Sequence, residues 1–337
     1  MVGKNWFKSK LLDMKLGILG FLIGLFSIQT KIKPDVITQK VRYDSDDPAI
    51  WYNTKNPNNS VIFGTDKDTD GSVLAFDLNG KIIDSLCIFG LRRPNNIDIQ
   101  QNFSYNGKQH SILALTEREL KQIRLFSIPD MHEIGNGFKV FKHDTFPRFD
   151  LPMGITLGAK NQKLLIFISR KEGPSKGYIH QYSFDPANAS LNLTKTLGNF
   201  DGKNEIEALC LDDDENILYY SDEGFGVHAL NLTTEHDTVF GGTQFGEDHE
   251  GIALIKNDSL NLVVVSDQKN GELELFDASN NYIHVASVKM SAKETDGIEI
   301  LNYPIKMFPK GLLVIMSDNR TFQYYSLNKL INSLTNN

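Results

Sequence analysis

Asp44-Ser45-Asp46-Asp47-Pro48-Ala49-Ile50-Trp51 crowds three carboxylates into four residues just ahead of an apolar, strand-like run. Like charges held this close cost free energy, so the cluster points to a cation that neutralises it. Taken alone, the stretch reads equally as a solvated acidic loop end; recurrence decides. Val61–Lys67 and Ser72–Leu78 follow as strand-like runs, then the hairpin signal Asn79-Gly80, then Lys81-Ile82-Ile83 as a fourth run. Four short strands of this kind describe one blade of a propeller.

The design returns five more times. Asn95-Asn96-Ile97-Asp98-Ile99 leads to Ile112–Arg118, and Met153-Gly154-Ile155 leads to Leu164–Lys171. Glu207-Ala208-Leu209 leads to Ile217–Glu223, Glu250-Gly251-Ile252 to Leu262–Gln268, and Asp296-Gly297-Ile298 to Leu312–Asp318. The lead positions Asp47, Asn95, Met153, Glu207, Glu250 and Asp296 are spaced by 48, 58, 54, 43 and 46 residues, which are blade-sized periods. The expected fold is therefore all-β: a six-bladed β-propeller of four-stranded antiparallel blades. Period-2 patterning and β-branched runs exclude a helical solenoid. The last blade shows three strands, and Val36–Val41 is placed to supply its outer strand and close the ring.

The chain has 337 residues, 40% of them hydrophobic and 23% charged, enough to bury a large core. Lys4, Lys8, Lys10 and Lys15 precede the apolar run Leu16–Ile28, which reads as the n- and h-regions of an export signal, with an uncleaved anchor as the alternative. Residues 1–32 are thus assigned to export or anchoring and 33–337 to the propeller. The expected location is outside the cytoplasm: secreted, periplasmic or membrane-tethered. Without residues 1–32 the body carries 30 basic and 41 acidic residues, a net charge near −11. That balance argues against nucleic acid or an anionic membrane face as a partner. Membrane contact is expected only through the N-terminal segment, and a monomer is expected. Cys87 and Cys210 each sit between apolar residues, as free thiols would, and no zinc spacing is present.

A propeller's innermost strands start at one mouth, where the adjacent second strands end. The repeat therefore projects two rings: the six lead residues, and Asp66-Lys67, Glu117-Arg118, Arg170-Lys171, Asp222-Glu223, Asp267-Gln268 and Asp318-Asn319. Blades four to six contribute mostly carboxylates, while blades one to three each place Lys or Arg at the end of the second strand. Carboxylates facing a basic arc are suited to hold several Ca²⁺ ions and to press a polyanion, above all a phosphate, against them. His249, between Asp248 and Glu250, reads as structural. Ser266-Asp267 and Ser317-Asp318 lack the elbow of a serine hydrolase.

Asp44–Trp51 resembles the opening signature of the β-propeller phytases, Asn95–Ile99 their second signature, and Asp296-Gly297-Ile298 their last-blade motif, over about residues 40–327. The resemblance implies a calcium-dependent hydrolase that removes phosphate from myo-inositol hexakisphosphate (phytate) or related phosphate esters by attack of a metal-activated water. It implies calcium-site roles for Asp47, Glu207, Glu223, Asp248, Glu250 and Asp296, and phosphate-holding roles for Lys67, Arg118 and Lys171. Glu207 or Glu223 would hold the attacking water. Met153 stands where the family has a Tyr, and Gln100 where an Arg ends the second signature. Ser291–Thr295 is shorter than the family's loop and lacks one acidic ligand, with Glu294 nearby. Two other readings remain open: a calcium-dependent lactonase or esterase, for which a basic arc has no use, and a non-catalytic binding propeller, which would survive replacement of Glu207.

Overall fold

The computed structural model describes residues 31–105, 107–246 and 248–334. Among them, six four-stranded antiparallel sheets follow one another around a ring. Blade one comprises Ser45–Trp51, Val61–Asp66, Gly71–Phe76 and Ile88–Leu91, and blade two Pro94–Tyr105, Lys108–Glu117, Gln122–Ile128 and His132–Lys139. Blade three comprises Pro152–Lys160, Lys163–Arg170, Lys176–Asp185 and Ser190–Asn199, and blade four Leu209–Asp212, Ile217–Asp222, Gly226–Asn231 and Asp237–Phe240. Blade five is Ile252–Asn257, Leu260–Asp267, Glu272–Asp277 and Ile283–Lys289. Blade six takes Ile298–Leu301, Leu312–Ser317 and Thr321–Ser326 from the C-terminal end and Val36–Ile37 from the N-terminal end.

That closure matches the sequence expectation. Val36 pairs with Tyr324 and Ile37 with Gln323, and the backbone N–H groups of Thr38 and Val41 continue the contact to Phe322 and Arg320. The hold on the chain begins earlier still, at Ile32, which forms a parallel bridge with Met290. The export or anchor reading of the N-terminal segment falls almost wholly on residues 1–30, outside the described residues.

The apolar runs within the second strands have a physical reason. Successive side chains point to opposite faces of a sheet, and each sheet here is covered on both. In blade two, Leu113 and Leu115 pack toward blade one, while Ile112 and Ala114 pack toward blade three. One cluster of buried side chains fills each of the six gaps between blades. The lead motifs carry a second constraint. A Cβ on Gly154 would lie 1.8 Å from the Glu207 carbonyl oxygen, and one on Gly297 2.2 Å from Asp47 Oδ1. Neighbouring lead segments press together at the mouth, and only glycine lets the backbones approach that closely.

One expectation needs correction. Lys81-Ile82-Ile83 is not the fourth strand of blade one: beyond the Asn79-Gly80 turn, Ile82 makes an isolated bridge to Phe76, with the Ile83 N–H on the Ala75 carbonyl (2.8 Å), and the chain then leaves the sheet in the turn Asp84–Leu86. The edge strand is Ile88–Leu91, paired with Gly71–Val73. The all-β expectation holds, with one short addition: Leu327–Leu334 forms a helix that buries Leu327 and Leu330 against blades five and six. Both cysteines are unpaired and half-buried.

Candidate active site

At the mouth, adjacent residues at the end of each second strand divide the work. The first turns back to fasten a connecting segment. The Asp66 carboxylate accepts the backbone N–H of Tyr43 (2.8 Å) and Asp44 (2.9 Å), Glu117 that of Arg92 (2.7 Å), Asp222 that of Asp201 (2.8 Å) and Asp267 that of Gly246 (2.8 Å). Arg170 does the same job with inverted charge, donating to Asp144 (2.6 Å) and to the Phe149 carbonyl (3.3 Å). All five are at most 1% exposed. The second ring therefore shrinks to Lys67, Arg118, Lys171, Glu223 and Gln268. In blade six the paired position is Ser317, so Asp318, not Asn319, is the equivalent member.

The residue before each pair was overlooked. Thr116 Oγ1 accepts from Asn96 N (3.1 Å) in its own blade and donates to the Met153 carbonyl (2.7 Å) of the next. Ser266 Oγ does likewise with Gly251 N (2.8 Å) and the Asp296 carbonyl (3.3 Å). Such hydroxyls stitch lead segment to lead segment. A Ser or Thr recurring one place before the charged pair was the available signal.

The remaining side chains gather around the mouth in several contacting groups. Lys67 pairs with Asp46 and lies 3.9 Å from Asp296 Oδ2. Burial opposes its charge, but Asp46, Glu207 and Asp296 outweigh that and raise its pKa. Asn95 Nδ2 donates to Glu207 Oε1 (3.0 Å), joining blade two to blade four. Arg118 is largely buried, with Nη2 against Met153 Sδ. Gln268 Nε2 donates to Asp296 Oδ1 (2.5 Å) and Glu250 Oε2 (3.3 Å). Asp248 meets Lys269 at 3.3 Å. Asp47 lies deeper: its Oδ2 accepts from Ile97 N (3.0 Å), and with Glu250, Asp98 and Glu299 it lines an axial cavity of about 230 Å³.

The sequence reading missed one carboxylate. Glu205, Glu207 and Glu223 each place an oxygen within 4.8 Å of the others, and Lys171 pairs with Glu205. Lys171, Glu205, Glu223, Asp248 and Glu250 line one open cavity of about 460 Å³. Burial and the neighbouring Glu205, Glu207 and Asp248 push the Glu223 carboxyl up to about 9. Burial, with Glu207 and Glu223 nearby, pushes that of Glu250 to about 8. His249 is structural in this setting: its ring stacks on Phe245 at 4.3 Å, and burial lowers its pKa to about 4. Glu294 is exposed and Gln100 lines the axial cavity, bonding to the Gln101 carbonyl.

The sequence profile of one family, Phytase, matches residues 26–332. The chain belongs to the phytase family. A Bacillus subtilis (strain 168) protein described as 3-phytase is 22% identical over 295 residues, covering 80% of this chain and 73% of its own length. As a phytase-family member the protein is a phosphoric monoester hydrolase. The phytase resemblance read from Asp44–Trp51 and Asn95–Ile99 is thus upheld, and the family assignment takes precedence over a lactonase or a purely binding propeller.

Proposed function

We propose that the protein hydrolyses phosphate monoesters of inositol, phytate among them, in a calcium-dependent reaction at this mouth. The observation that carries the reading is the contact of Lys171 with Glu205 beside Glu207 and Glu223, where a phosphate site and a hard-oxygen cage share an edge. The cage fits a divalent cation. Glu205 Oε2 and Glu223 Oε1 are buried without a hydrogen-bond partner among the described residues, and oxygen donors alone suit calcium. Glu205, Glu207 and Glu223 would hold one ion, and Glu250, Asp296 and Asp47 offer oxygens for others. The chemistry a bound calcium supplies is neutralisation of phosphate oxygens and a lowered pKa for water.

The chain's own residues supply the rest. Phosphoryl transfer needs charge compensation and alignment more than covalent chemistry. Lys67, Arg118 and Lys171 offset charge on the phosphoryl oxygens, and Arg118 Nε is a buried donor without a partner among the described residues. Asn95 fixes Glu207, the residue best placed to orient a water and take its proton. Cations spread around one mouth, Lys67, Arg118 and Lys171, favour densely phosphorylated rings, since holding one phosphate raises the local concentration of the next. The decisive experiment is phosphate release from inositol hexakisphosphate by the purified chain, with calcium and with chelator. Release that is equal in both conditions defeats the calcium dependence, and no release in either defeats the substrate.

A further inference from the structure

The three cations of the basic arc are not held alike. Lys67 leans on Asp46 and Asp296, and Arg118 on the uncharged sulfur of Met153. Lys171 pairs with Glu205, which is itself a corner of the carboxylate trio with Glu207 and Glu223. Glu223 is 5% exposed and its Oε1 has no hydrogen-bond partner among the described residues; Glu205 Oε2 is likewise buried and unpartnered. The Glu223 N–H donates to the Glu205 carbonyl at 3.1 Å, which ties the two segments together. Glu205 therefore has one oxygen on the ammonium and a second that no described residue satisfies.

We propose that Glu205 couples cation binding to phosphate binding by exchanging partners. Without a divalent cation it neutralises Lys171 and withholds the ammonium from anions. With a cation among the trio, the doubly charged partner takes the greater share of the carboxylate's attraction, and Lys171 is released toward a substrate phosphate. Linkage makes the effect reciprocal, so a phosphate on Lys171 tightens the cation. Toward the cation Glu205 is itself a ligand; toward the phosphate it acts through Lys171 and is a positioning residue. The proposal rests on the calcium reading above.

The test is calorimetric titration of the full chain, with calcium and, separately under chelator, with myo-inositol hexakissulfate as a polyanion that cannot be hydrolysed. Glu205→Gln should weaken calcium about tenfold and strengthen calcium-free polyanion binding several-fold. The polyanion gain should vanish when Glu205→Gln is made in a Lys171→Met background. A structural role would weaken both ligands, and a plain ligand role would weaken calcium alone; either result overturns the proposal. A polyanion gain that persists without Lys171 also overturns it, because Glu205 would then act only as bulk charge. If the wild-type chain binds no calcium, the calcium reading falls and the coupling with it. If it binds calcium and Glu205→Gln binds it equally, the coupling alone falls.

Discussion

The two flanks of the mouth share one backbone plan and differ in charge. In blades one to three the residue after the fastening side chain is Lys67, Arg118 or Lys171, each already against a partner. In blades four and five the same position holds Glu223 and Gln268, and carboxyls such as Glu223 and Glu250 crowd together with pKa values pushed up to about 9 and 8. On the basic flank Lys67 and Lys171 each meet a carboxylate, whereas on the acidic flank Glu205, Glu207, Glu223 and Glu250 crowd together and Lys269 meets Asp248. Blade geometry supplies position; one residue per blade supplies sign.

The largest expected effect is chemical and lies on the acidic flank. Glu207→Gln keeps the Asn95 contact possible but removes the charge, and phosphate release should fall by about 10²–10⁴. A loss below tenfold would show that Glu207 is not the water-orienting group. On the basic flank, Arg118→Ala should cost about 10²-fold in kcat/KM, comparable to loss of one transition-state donor. Arg118→Lys should recover only part of it, because a point charge does not replace a planar fork.

A third prediction concerns the frame beneath both flanks. Gly154→Ala places a methyl 1.8 Å from a carbonyl oxygen and should destabilise the chain by about 1–3 kcal/mol, read as a lowered Tm. The fourth uses pH. With calcium absent, Glu223 and Glu250 retain protons at neutrality, so calcium must displace protons to bind. Calcium titration near pH 7 in weak buffer should acidify the solution, and affinity should rise toward pH 9 and then level off. The stability of the calcium-free chain should move the other way. A folded carboxyl at about 9 against 4.5 unfolded favours the fold at low pH, and that advantage is lost as pH climbs between those values. Calcium should flatten the dependence, and equal slopes with and without it would break the argument. The smallest effect is symmetrical: Thr116→Val on one flank and Ser266→Ala on the other should each cost about 1–2 kcal/mol, since each hydroxyl makes two hydrogen bonds.

Much of this was legible before the fold was seen, because each blade repeats a lead residue, a β-branched run and a charged strand end at a regular period. What the repeat could not tell was which of two neighbours at a strand end faces the axis. Asp66 and Lys67 are both charged, and only the backbone N–H groups waiting at Tyr43 and Asp44 decide that Asp66 turns away. Glu205 lay outside the repeated positions. Its two-residue offset from Glu207 was the sole hint, and its meaning depends on Glu223 arriving from another strand. Leu327–Leu334 escaped because eight residues containing two Asn and a Ser make a weak helical pattern without the cluster they cover.

The closure of blade six by Val36–Ile37 has a consequence for the order in which the molecule becomes competent. Asp46 and Asp47 leave the ribosome early, while Gly297, whose N–H binds the Asp46 carbonyl, and Ser317, whose carbonyl receives the Ser45 hydroxyl, arrive last. Until Val36–Ile37 and the strands of blade six meet, the seam beside Lys67 stays open and its acids have no opposite shore. A chain cut short in its final blade is therefore expected to be inert, not a slower version of the whole.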